Sequence, residues 1–273
     1  MRTRSLVAGV LAGAAAVLGM IAPASAAQPG AGAQPLIVGG EDATETYSFM
    51  GSMQTTDGDH NCGASLINSE WLVTAAHCVT DPSTNKPHDP SQWQYRIGTT
   101  DRTQGGEVAK VDKFIAHEKW DWNGPGQYDI AVAHLAAPVK AAPIEIGKSP
   151  APGADVREIG WGLTCPNRGC GDAPVKLQQL DTKIAEDAKC GSQYDAESEL
   201  CMDNKGGKAS ACYGDSGGPA VVKDGDKWTL VGATSRGQTA SCPEKEGIYT
   251  DVTAYTDWIS QQTGKQAGTA QRG

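Results

Sequence analysis

Positive charge is the first thing this chain is short of: 23 lysines and arginines stand against 32 aspartates and glutamates, a formal net charge of −9 at pH 7. A surface that tracks phosphates needs the opposite balance, so nucleic acid is not an expected partner. Apolar runs long enough to cross a bilayer are missing after the first residues. Sustained helical repeats are missing too, while 34 glycines and 15 prolines supply turns throughout. That combination points to short strands joined by turns, an all-β chain. His60, His88, His117 and His134 show no spacing with cysteine or carboxylate that suggests a metal site, and are expected at the surface or in packing.

What is present is ordinary for a globular protein: 273 residues, 39% apolar and 20% charged, enough for a full core in one unit. The start is not ordinary. Arg2 and Arg4 precede an apolar stretch from Leu6 to Ile21 and a small-residue cleavage site, Ala24-Ser25-Ala26. This predicts a signal peptide over 1–26, hence a secreted, extracellular protein with no membrane association once the leader is removed. Residues 27–36 are small and uncharged and are expected to form a propeptide. Export also makes the 8 cysteines candidates for disulfides, although about 105 complete pairings are possible from the count alone.

From Ile37 onward, short apolar runs alternate with turn residues. Strands are expected at Ala64 to Ile67, Trp71 to Thr74, Ile130 to Leu135, Pro219 to Val222, Trp228 to Gly232 and Ile248 to Val252. Tyr255, Trp258 and Ile259 have the spacing of one helical face, which predicts a short helix near the end of a domain spanning 37–263. Residues 264–273 are expected to be a flexible tail.

Three separated segments carry chemistry: Thr74-Ala75-Ala76-His77-Cys78, Asp129-Ile130-Ala131-Val132 and Gly214-Asp215-Ser216-Gly217-Gly218-Pro219. Taken singly, each has an ordinary structural explanation: a histidine before a cysteine, an aspartate opening a strand, a serine in a glycine loop. Together, and with Ile37-Val38-Gly39-Gly40 before them and Gly160-Trp161-Gly162 midway, they resemble the trypsin and chymotrypsin family over roughly 37–263. The resemblance implies two six-stranded antiparallel β-barrels side by side, with the site between them. It implies that His77, Asp129 and Ser216 form a catalytic triad acting on protein or peptide substrates, with no cofactor and no metal.

These residue types fit that chemistry. A serine hydroxyl is a weak nucleophile until a base within reach takes its proton. An imidazole titrates near neutral pH, so His77 can accept that proton and return it to the leaving amine. Backbone N–H groups of Gly214 and Ser216 would converge on the oxyanion of the tetrahedral intermediate, and one such donor is commonly worth about 3 to 4 kcal/mol. In the family the freshly cut Ile ammonium pairs with the Asp before the nucleophile, here Ile37 and Asp215, so the uncut chain is expected to be a zymogen. That pairing would raise the Ile37 amine pKa, so activity should fall as pH rises through it, while acid should silence His77.

Counting back from Ser216 through Cys212, the resemblance puts Ser210 at the base of the primary substrate pocket, where trypsin-like members carry an aspartate. Ser235, Gly237 and Gly247 fall on its walls. A neutral, open pocket implies a preference for Phe, Tyr, Leu or Met before the cut. Leu36 fits that preference, so autoactivation at Leu36-Ile37 is expected. Two departures stand out: Arg236 replaces an aromatic and either favours acidic substrate residues or stacks outward, and the stretch from Gly98 to Glu107 lacks the family's calcium-loop carboxylates. The resemblance pairs Cys62 with Cys78, Cys190 with Cys201 and Cys212 with Cys242, leaving Cys165 and Cys170 to each other. It also makes protein protease inhibitors expected partners, and a monomer the expected state. Two alternatives remain: a non-catalytic relative using the double barrel for binding, and a protease dedicated to one target.

Overall fold

The structure is a computed structural model in which residues 37–264 are described. The leader at 1–26, the segment 27–36 and the tail beyond Gly264 lie outside the described residues. In chain order the strands are β1 (Glu41–Asp42), β2 (Met50–Thr55), β3 (His60–Asn68), β4 (Trp71–Thr74), β5 (Trp93–Ile97), β6 (Glu107–Ala116), β7 (Ala131–Leu135), β8 (Glu145–Ile146), β9 (Asp155–Gly160), β10 (Gln178–Lys183), β11 (Glu199–Met202), β12 (Pro219–Asp224), β13 (Lys227–Gly237) and β14 (Gly247–Asp251). Two short α-helices, α1 (Ala76–Val79) and α2 (Thr256–Thr263), complete the elements used below.

Strands β2-β3-β4-β7-β6-β5 form a closed antiparallel barrel. Its core is filled by side chains pointing inward from alternate positions, among them Met53, Leu66, Leu72, Tyr95 and Ile97, all fully buried. β6 shows why its strand was not evident from apolar runs. Val108, Lys110 and Asp112 face out between buried Ala109 and Val111, and a register shift between Val111 and Lys113 leaves Asp112 and Lys113 both exposed before Phe114 turns in. A bulge of this kind lets a strand bend around a small barrel while keeping its apolar side inward.

The second sheet runs β10-β9-β12-β13-β14-β11, with its two ends meeting at a backbone bridge between Ile184 and Met202. This completes the double-barrel architecture that the sequence predicts. Two additions go beyond the six expected strands: β1 extends the sheet beside β10, and β8 pairs with β13 in parallel. The core of this half is Val156, Ile184, Leu200, Met202, Ala220, Val231 and Tyr249. Near the end, Asp251 caps a 3-10 turn by accepting from Thr253 N at 2.9 Å, and α2 follows. Ile259 and Tyr255 are buried, and Trp258 Nε1 donates to Glu118 Oε2 at 3.0 Å, tying the helix to the first barrel.

The two halves meet where β3 passes the loop before β12. Gly63 N donates to the Ser216 carbonyl at 2.7 Å, and Thr74 Oγ1 donates to the Gly63 carbonyl at 2.8 Å. A Cβ on Gly63 would lie 2.6 Å from Gly218 Cα. Gly63→Ala is therefore expected to lower stability by about 1–3 kcal/mol, as overpacking of a filled interior does, and to move Ser216 with it. A urea midpoint and an activity equal to those of the unaltered protein would contradict this close approach.

Candidate active site

The site begins at the end of β4, where the chain turns into α1. Ala75 and Ala76 are fully buried, and Cys78 is bonded to Cys62 on β3, so the single turn of helix is fixed on both sides. Only the His77 side chain reaches outward, with 18% of its surface exposed. Its ring meets Trp122 edge-on at 6.0 Å.

Asp129 lies just ahead of β7 and is almost wholly buried. A buried carboxylate must be compensated by donors, and this one has them. His77 N donates to Oδ1 at 2.9 Å, His77 Nδ1 lies 2.7 Å from Oδ2, and Ser235 Oγ donates to Oδ2 at 2.6 Å. Thr250 Oγ1 donates to the Asp129 carbonyl at 2.8 Å. Burial pulls the His77 pKa down, but the Asp129 charge and hydrogen bond outweigh it and leave the imidazole above its ordinary value. The hydrogen bond at Nδ1 sets the tautomer that leaves Nε2 able to accept a proton.

Ser216 sits in a tight loop whose turns are made by Gly214 at φ 102° and Gly217 at φ 74°. A side chain at Gly217 would collide with Thr74 Oγ1 at 2.2 Å. Neither the Gly214 nor the Ser216 N–H donates to another described residue, so both remain available to an external acceptor. Ser216 Oγ has no hydrogen bond to His77 among the described residues, although both side chains border the same cavity of about 290 Å³.

Ser210, Ser235, Gly237 and Gly247 also border that cavity. Ser210 Oγ donates to the neighbouring Ala211 carbonyl at 2.9 Å, and no carboxylate is among the lining side chains. The disulfides join Cys62 to Cys78, Cys165 to Cys170, Cys190 to Cys201 and Cys212 to Cys242. The last of these holds the cavity between Ala211 and Tyr213 on one side and Ser241 on the other. Cys62, His77 and Cys78 are grouped closely enough to suggest a metal site, but their sulfurs are joined to each other and are not available as thiolates.

Ile37 is fully buried against Leu180 and Ala209, and Val38 bridges Ser210. Asp215 is also buried and forms no ion pair with any described cation, and in the uncut chain the Ile37 nitrogen is an uncharged peptide amide. Its oxygens accept from Gly162 N and Cys212 N, each at 2.8 Å. Burial outweighs both bonds and pushes the Asp215 carboxyl up to about 6. Side chains at Gly160 or Gly162 would overlap the carboxylate, which explains the glycines flanking Trp161.

Two residues behave otherwise than the sequence suggests. His60 packs, with its ring edge-on to Trp161 at 5.8 Å, but it also bonds: Nε2 donates to the Gly214 carbonyl at 3.0 Å, and Nδ1 lies 2.8 Å from Ser52 Oγ. Burial lowers its pKa to about 4, so the ring is neutral and Ser52 donates to Nδ1. Arg236 neither stacks outward nor offers a free charge. Its guanidinium makes a two-pronged pair with buried Glu199 and donates to the carbonyls of Gly126 and Gln193. Sequence spacing carried no signal for either contact, because the partners lie 154 and 37 residues away.

The Trypsin family model matches residues 37–259. A trypsin from Saccharopolyspora erythraea is 34% identical over 234 residues, covering 83% of this chain and 97% of that protein. Transmembrane protease serine 11C of Mus musculus is 34% identical over 243 residues, covering 84% of this chain and 54% of that protein. Transmembrane protease serine 11B of Homo sapiens is 34% identical over 243 residues, covering 84% and 56% respectively. The chain thus spans about half the length of the transmembrane relatives and nearly all of the trypsin. Architecture, family match and shared length lead to one conclusion: the chain belongs to the trypsin family of serine proteases.

Proposed function

We propose that the protein is a secreted serine endopeptidase, made as a zymogen, that cuts after large apolar residues using Ser216, His77 and Asp129. The observation that carries this reading is the His77 Nδ1 to Asp129 Oδ2 contact of 2.7 Å beside a cavity that Ser216 also borders. His77 takes the Ser216 proton as Oγ attacks the substrate carbonyl, and passes it to the departing amine as the acyl-enzyme forms. Water then attacks the acyl group by the reverse proton path. The N–H groups of Gly214 and Ser216 receive the oxyanion in both steps. Apo hydrogen bonds at such sites tighten on substrate binding, which is where the Ser216 to His77 bond forms.

No carboxylate lines the cavity to receive a cation, although Arg168 over the Tyr213 ring, Arg236 paired with Glu199, and Lys245 do line it, and the space above Gly247, where a Cβ would meet nothing closer than 3.8 Å, suits a bulky side chain before the cut. Activation at Leu36-Ile37 fits the same pocket. Two further observations support it. Asp215 is a buried carboxylate with no paired cation among the described residues, and a released Ile37 ammonium would supply one. Ile37 is also held at φ 32°, a backbone region that β-branched residues adopt only under strain, so cutting beside it relieves that strain. Secretion rests on the leader over 1–26. Among the described residues no helix is long and apolar enough to cross a membrane.

At pH 7 the mature protein is expected to cleave chromogenic peptides ending in Phe or Leu at least tenfold better than those ending in Arg or Glu, and Ser216→Ala to cleave none. Cleavage chiefly after Arg or Glu would retain the protease and overturn the preference for large apolar residues; no cleavage from protein correctly cut at Ile37 would return the binding-module alternative. Ser216→Ala expressed in a protease-free host should remain uncut at Leu36-Ile37, and clean maturation there would exclude autoactivation.

The pH dependence follows from sign. Only neutral His77 accepts a proton, and its pKa is raised, so kcat/KM should fall as pH drops through an inflection above the ordinary histidine value of about 6.5. In Asp129→Asn the raising charge is gone and burial alone remains. The His77 ring should then titrate below about 6.5 by NMR, while kcat falls by about a thousandfold or more.

A further inference from the structure

Strand β9 breaks its own pattern. Its inward positions run Val156, Glu158, Gly160, so a carboxylic acid with 1% exposure stands in the core of the second barrel where an apolar side chain belongs. Such a group is costly to bury and persists only where something compensates it. Glu158 Oε2 accepts from Ala211 N at 2.9 Å, and no described lysine, arginine or histidine forms an ion pair with it. The catalytic steps above do not use it.

Its neighbours do border the substrate cavity. Ala211 lies next to Ser210, and both line the cavity; so does Tyr249 of β14, whose buried hydroxyl finds no hydrogen bond of good geometry. Burial, and after it the Glu158 charge, hold the Tyr249 hydroxyl protonated well above its ordinary range. Glu158 therefore stands directly behind the wall made by Ala211 and Tyr249.

We propose that Glu158 is a specificity residue of the primary pocket: protonated, it leaves the pocket without a negative charge, and ionised, it is the counter-charge that admits a lysine, arginine or other amidinium-like group. This rests on the pocket assignment made above. A cation that reaches the floor beside Ser210 supplies the positive charge Glu158 lacks, and Glu158 releases one proton to solvent as it binds. The titratable groups around Glu158 are Asp215 from the nucleophile loop, the neutral Tyr249 hydroxyl from β14 and Lys205 from the loop after β11. Its strand neighbours, Leu180 on β10 and Ala220 on β12, do not titrate. Burial first and the Asp215 charge second push the Glu158 carboxyl up to about 8, against weaker opposition from Ala211 N, Tyr249 and Lys205. An Ile37 ammonium against Asp215 offsets that second contribution and moves the titration lower in the mature enzyme.

The test is benzamidine binding to the mature protein by calorimetry from pH 6 to pH 9, with kcat/KM for Phe and Lys peptides over the same range. Expected are at least tenfold tighter benzamidine binding with rising pH, proton release on binding, and a Lys-to-Phe ratio that climbs in parallel. In Glu158→Gln and in Glu158→Leu both pH dependences should be flat while cleavage after Phe is retained. Binding independent of pH in the unaltered protein, or a rise that persists in both variants and so belongs to His77, would overturn the proposal. Calorimetry needs no turnover, so failure of the protease reading would be seen separately, as absent cleavage of every peptide.

Discussion

The buried carboxylate of Asp129 is the constraint on which the site depends. A carboxylate removed from water must find donors, and those of Asp129 come from both halves of the molecule: two from His77 on α1 and one from Ser235 on β13. Thr250 of β14 holds the same residue's carbonyl. The hydrogen bonds that orient the imidazole are thus also bonds across the junction of the barrels. The geometry of the His77–Asp129 pair and the packing of the two halves are one set of contacts, and neither is satisfied without the other.

The same logic explains the electrostatics around Ser216. Asp215 and Glu158 are two acids buried close enough that the charge of one raises the other, both accept backbone N–H bonds, and both lack a described ion-pair partner. Arg236 and Glu199 are the contrasting case: a charge pair closed on itself, with the guanidinium edge fixed by two backbone carbonyls. Closed pairs of this sort shape a surface without offering it charge. The groove beside β13 therefore presents a planar, compensated group where an unpaired arginine would have attracted acids.

Legibility in the sequence followed the physical source of each feature. Strands that are buried on both sides, such as β4 with its Trp71–Thr74 run, announced themselves as apolar segments. β5, β6, β9 and β10 did not, because their exposed faces carry Gln94, Lys110, Arg157 and Asp181 between the buried positions. The residues of the proposed triad and the cysteines were legible because they sit in compact motifs that resemble one family. His60, Thr250 and the Ser235 bond to Asp129 were not, since each depends on register between segments more than 100 residues apart. Glu158 left a visible trace, a charged residue in phase with Val156 and Gly160, but its meaning needed the position of Ala211.

The seam between the barrels has one more consequence. The Ser216 carbonyl is held by Gly63 of the opposite half, and the Gly63 carbonyl by Thr74 beside α1. A protease at high concentration is surrounded by copies of itself, and the segments open to attack are those that separate locally from the fold. Here a molecule that parts along this seam releases Ser216, its proposed nucleophile, in the same event. Vulnerability to digestion and loss of digestive power are then coupled within each molecule, so a population culls its loosened members without those members joining in.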